Sequence, residues 1–137
     1  MRLDILDYIV KAEGEVIEHT RAEAPTAGPA PAAYEDILDW CREHTEELDE
    51  ERQQARETLI YRQGLEHAIA MGDVTVVRRH PCPACGCWGL FWLASATRAV
   101  CVNRYCTNKA GLAHRWPLAT LAHRHITAQK RLKSSAT

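Results

Sequence analysis

The stretch that decides the fold runs from Cys82 to Cys106, CPACGCWGLFWLASATRAVCVNRYC. It holds five of the chain's six cysteines, and Cys41 stands apart from them. Cys82-Pro-Ala-Cys85 has a gap of two residues, and Cys101-Val-Asn-Arg-Tyr-Cys106 a gap of four. Fifteen residues separate the two pairs. Zinc takes four thiolates at the corners of a tetrahedron, and ligand gaps of about two to four residues suit it. Leu90–Ala94 and Arg98–Cys101 read as strands, with Ser95–Thr97 as the turn between them, so one hairpin separates the two cysteine turns. Pro83 stiffens the first turn, and Gly86 lets the backbone leave it at positive φ. The spacing therefore assigns Cys82, Cys85, Cys101 and Cys106 to one structural Zn²⁺. His80, Cys87 and His114 remain alternatives for one position, and an iron–sulfur cluster is an alternative use of the same thiols. The opening MRLDILDYIV carries acids within its apolar stretch and does not read as a signal peptide. A reducing, cytoplasmic setting in a bacterial host cell is expected, in which paired thiols read as metal ligands rather than disulfides.

Outward from this stretch, residues 74–80, VTVVRRH, are β-branched and read as a further strand, and Ala113–Trp116 as another. Pro117 can open a final helix over Leu118–Leu132, followed by a frayed KSSAT tail. On the N-terminal side, residues 3–23 read as a helix from the recurrence of Leu3, Leu6, Val10 and Ile17. Residues 24–33, APTAGPAPAA, read as a linker or extended turn. Residues 34–71 carry no proline and read as one long helix. Tyr34, Cys41, Leu48 and Ala55 mark a narrow seven-residue seam along it. That stripe is too thin to fold alone. It calls for packing against the first helix as a hairpin, against a second copy of the chain, or against a partner. The expected fold class is α+β: an acidic hairpin of two helices over residues 1–73, then a small β-domain closed by a C-terminal helix over residues 74–137.

The segments CPACGCWGL, AVCVNRYC and RWPLATLA together resemble zinc-ribbon proteins found in actinobacteria and their phages. The resemblance covers residues 78–122. It implies a zinc-ribbon β-domain, and it leaves function open because ribbons serve many unrelated tasks. The four-residue second gap and the extra Cys87 depart from the plain ribbon pattern.

Charge supplies the functional clue. The chain holds 137 residues, 17 Lys/Arg against 18 Asp/Glu, with a formal net charge of −1. Residues 1–73 contain all 18 acids and seven of the cations, a formal −11. Residues 74–137 contain ten cations and no acid. A basic segment of this kind either neutralises the acidic one or faces a polyanion. The candidate nucleic-acid contacts are Arg78, Arg79, Arg98, Arg104, Lys109, Arg115, Arg124, Lys130 and Arg131. Trp88, Phe91, Trp92, Tyr105 and Trp116 lie among them, as stacking residues for unpaired bases or as ribbon core. No paired carboxylate in the basic half, phosphate loop or HExxH motif points to catalysis. The expected partners are nucleic acid, DNA ahead of RNA, or a protein of the transcription machinery, without a membrane. A homodimer through the long helix is a further expectation.

Overall fold

The computed structural model describes the backbone of residues 2–136 and the side chains of residues 6–132. Four α-helices and a three-stranded antiparallel sheet make an α+β fold: α1 Arg2–Glu23, α2 Tyr34–His44, α3 Glu50–Ala70, β1 Leu90–Leu93, β2 Arg98–Cys101, β3 Arg115–Trp116 and α4 Leu118–Ala136. Among the described residues, no helix is long and apolar enough to cross a membrane.

The expected long helix over residues 34–71 is two helices. Its composition favours helix throughout, but α2 ends at His44 and a new N-cap at Asp49 starts α3. The Thr45 hydroxyl donates to the Cys41 carbonyl at 2.6 Å, an oxygen that a continuing helix would offer to a backbone N–H. Four residues later the Asp49 carboxylate accepts from the Arg52 N–H at 2.9 Å, a standard N-cap that starts α3 afresh. The seven-residue series therefore forms no single seam: Cys41 is buried, Leu48 half-buried and Ala55 exposed. On α1 the inward face carries Ala12, Val16 and Thr20, while Leu6 and Val10 are exposed. Leu3 lies outside the described side chains.

The three N-terminal helices close on one another around Val16, Ile37, Trp40 and Cys41, with Ala27 of the proline-rich turn packed beneath them. Buried Gln63 of α3 ties this group together. Its amide donates to the Ala12 carbonyl and the Glu15 carboxylate, each at 2.9 Å. Its Oε1 accepts from the Tyr34 hydroxyl, and its backbone carbonyl from the Tyr8 hydroxyl, each at 2.7 Å.

The second core joins Leu65 of α3 to Val76, Val77, Leu90, Ala99, Leu118 and Leu121. Val74–Arg79 forms a 3₁₀ helix instead of the expected strand. The Asp73 carboxylate accepts from the Thr75 N–H and hydroxyl. Val76 and Val77 are both buried, although they adjoin. A strand would turn neighbouring side chains to opposite faces, whereas one helical turn sends both into the core. In the sheet, order β1-β2-β3, Val100 opposes Phe91 on one side and Arg115 on the other, and Ala99 likewise opposes Trp92 and Trp116. The expected strand over Ala113–Trp116 is reduced to two residues plus an isolated bridge from Ala113 to Thr107.

If the Asp49 cap sets the break between α2 and α3, Asp49→Ala costs about 1 kcal/mol of stability. Urea unfolding followed by helical circular dichroism measures this, and an unchanged midpoint would refute the assignment.

Candidate metal centre

The first cysteine turn is built by backbone hydrogen bonds. The Gly86 N–H donates to the Cys82 carbonyl and the Cys82 N–H to the Cys87 carbonyl, both at 2.8 Å. Gly86 has φ +78, the left-handed conformation that glycine adopts without a Cβ penalty. The second turn starts at the end of β2. The Val102 N–H donates to the Gly89 carbonyl at 3.0 Å, extending the ladder by one residue. The chain then reverses, with the Cys106 N–H on the Asn103 carbonyl at 2.9 Å and the Tyr105 N–H on the Asn103 side-chain oxygen at 3.1 Å. The wide second gap is thus one added strand residue followed by an ordinary turn. A Cβ on Gly89 would overlap the Val102 side chain, so a larger residue there requires Val102 to shift.

These turns bring the sulfurs of Cys82, Cys85, Cys101 and Cys106 within 4.8 Å of one another. Cys82 and Cys106 Sγ are 3.8 Å apart, and Cys85 and Cys101 Sγ 3.6 Å. A tetrahedron with Zn–S bonds of about 2.3 Å has edges of about 3.8 Å, so the spacing fits a single zinc ion. A cage this small has no room for several iron atoms. Three of the four cysteines are buried, while Cys85 is exposed and opens the cage to solvent on one side. All six cysteines are free thiols.

The surroundings favour the thiolate form at Cys85 and oppose it at Cys101 and Cys106. The Cys87 backbone N–H aimed at Cys85, helped by the Cys87 and Cys101 thiols and the Asn103 side chain, lowers the Cys85 thiol to about 6. Burial pushes Cys101 up, opposed by the Asn103 N–H. Burial likewise raises Cys106, to about 11. A cation at the centre of the cage would favour the charged form of all four. Asn103, unremarked in the sequence, thus contributes a turn and polar contacts to two sulfurs. Its place inside the second cysteine pair was the available signal.

The alternative ligands are otherwise engaged. Buried His80 has Nδ1 3.2 Å from the Val76 carbonyl and Nε2 2.7 Å from the Tyr61 hydroxyl, so both ring nitrogens are used. The His114 ring stacks on Trp116 at 5.2 Å, and its carbonyl accepts from the Cys101 N–H. Cys87 Sγ lies 3.4 Å from Cys101 Sγ but outside the group of four mutually close sulfurs.

Of the nine basic residues singled out, Arg78, Arg79, Arg98, Arg104, Lys109, Arg115, Arg124 and Arg131 are exposed. Lys130 is half-buried and pairs with Glu50 at 2.7 Å. Among the described residues it is the one member of the nine in a salt bridge. Trp92 and Trp116 pack against the inner core, while Trp88, Phe91 and Tyr105 are exposed. Comparison with protein-family models, curated proteins and solved structures finds no match.

Elemental analysis of the purified protein is expected to give one zinc per chain. Cys82→Ser and Cys101→Ser should lose it, whereas Cys87→Ser should keep it. Chelation should melt residues 75–116. A Cys87→Ser protein without metal would overturn the ligand set.

Proposed function

We propose that this protein is a small zinc-ribbon regulatory protein that binds nucleic acid, DNA ahead of RNA, and acts in transcription. In this reading Cys82, Cys85, Cys101 and Cys106 hold one structural Zn²⁺. Four thiolates fill the ion's coordination shell and leave no position for water, so its contribution is to crosslink the two turns. Structural zinc supplies roughly 10–16 kcal/mol of apparent binding free energy in small finger peptides. A short three-stranded sheet has little other means of holding its shape.

One observation carries the reading: eight of the nine basic residues are exposed and have no carboxylate partner among the described residues, in a segment that contains no acid. Had the basic segment served mainly to neutralise the acidic one, direct pairs would be expected across their boundary. α3 packs along α4, and the ion pair joining the two segments among the described residues is Glu50 with Lys130. Arginine forks match phosphate geometry, and four thiolates around Zn²⁺ reduce the segment's positive charge by only two.

A second reading has the acidic helices engaging a protein of the transcription machinery. Leu6 and Val10, exposed one turn apart on α1, favour it.

Binding to duplex DNA is expected to weaken with salt by about 0.9 log units per log unit of salt for each phosphate contacted. Replacing Arg104 and Lys109 by Gln should lower that slope by about one per contact removed. Electrophoretic mobility shifts across a salt series measure both. Absence of binding to DNA and RNA at low salt sinks the proposal and leaves the protein-partner reading.

A further inference from the structure

We infer that the preferred ligand of the ribbon is unpaired nucleic acid, taken up on the outer face of the sheet. The inference rests on the nucleic-acid reading above and specifies its substrate class. Antiparallel pairing places directly opposed residues on one face, and successive rows alternate. The row Trp92, Ala99 and Trp116 belongs to the inner core. The next row, Phe91, Val100 and Arg115, lies on the opposite face, with Val100 buried at its middle and Phe91 and Arg115 exposed at its two ends. Phe91 keeps 39% of its surface exposed, and Arg115 is exposed at the far end of the row. Val102 follows on the same face beside Gly89, 59% exposed.

The adjoining second cysteine turn presents Tyr105, 80% exposed. Its ring is not left to wander: the Arg104 guanidinium lies 5.0 Å from the ring centroid and donates to the Tyr105 hydroxyl at 3.0 Å. Trp88, in the first turn, is 66% exposed. Three large aromatic surfaces are thus presented to solvent within 18 residues, in a segment without acids and with two arginines that pair with no carboxylate among the described residues.

Each of these features fits single strands better than duplex. Cations alone would serve a duplex, whose outer surface is phosphate. Exposed rings gain from nucleic acid when a base offers its π-face, which a paired, stacked duplex hides. An aromatic with a neighbouring guanidinium offers a stacking surface and a phosphate contact in one unit, as Tyr105 and Arg104 do, while Phe91 and Arg115 stand at the two ends of one row with Val100 between them.

The test uses the zinc-loaded full chain and fluorescence anisotropy at one low salt concentration. The probes are an oligothymidylate and an oligouridylate of about 15 nucleotides, a length of the order of one such site, and a duplex of equal length. At least one single strand should bind roughly tenfold or more tighter than the duplex, with quenching of tryptophan fluorescence from Trp88. Tyr105→Ala and Trp88→Ala should each weaken single-strand binding by about 5- to 100-fold, while Tyr105→Phe and Trp88→Phe retain most of it. Both sites are exposed, and zinc content checks that the variants are folded. Duplex affinity equal to or above that of both single strands overturns this inference and leaves the nucleic-acid reading standing. So does a single-strand preference that survives both alanine variants. No binding to any probe overturns both.

Discussion

Four sulfurs drawn from two turns into a cage less than 5 Å across constrain everything else in the C-terminal segment. The strands that join them are four, four and two residues long. Sheets this small do not stand on their own in water. The cysteine turns fix the ends of β1 and β2, the register follows from those ends, and the register decides which aromatics face inward. Trp92 and Trp116 meet the core because Leu90 is held opposite Cys101. A one-residue slip would exchange the two faces and bury Phe91 in their place.

The cage is also anchored from outside. α3 contributes Leu59 to the helical core and Leu65 to the core beneath the sheet, so one helix serves both. Tyr61 of the same helix donates to His80, two residues before the first cysteine, and stacks on His125 of α4 at 4.1 Å. This contact explains why a histidine beside a metal motif is not a ligand: with both nitrogens engaged, it fixes the approach of the chain to Cys82. The sequence shows only that His80 precedes the motif. Its partner is 19 residues away, and nothing in local spacing points to it.

Cysteine spacing was legible because a four-thiolate site demands a particular arrangement whatever surrounds it. The hairpin and its turn were legible too, since a short apolar run bounded by turn residues is a local property. Two elements misled for the same physical reason. Residues 45–49 have helix-forming neighbours, yet the Asp49 carboxylate caps the Arg52 N–H and starts a new helix there. Residues 74–79 have strand-forming side chains, yet their adjacent buried valines require a helical turn. Propensity sums over many residues, whereas a cap or a core contact acts at one position and can outweigh the sum. Asp49 and Asp73 were the visible signals, each a capping residue at the start of the element it controls.

The charge pattern gains meaning only with the fold. A chain with −11 in one segment and +10 in the other could neutralise itself by laying one against the other. α3 and α4 do pack together, but the contact leaves most arginines on other surfaces, and among the described residues Lys130 alone of the nine pairs with an acid. The acids of α1 and α3 instead pair within their own group, Glu15 and Glu66 with Arg62. Keeping like charges apart from their natural partners costs coulombic energy that a neutral surface would not incur. In the proposed reading, the basic surface would recover that cost on meeting a polyanion, and the acidic surface would repel the same polyanion and confine it to the ribbon side.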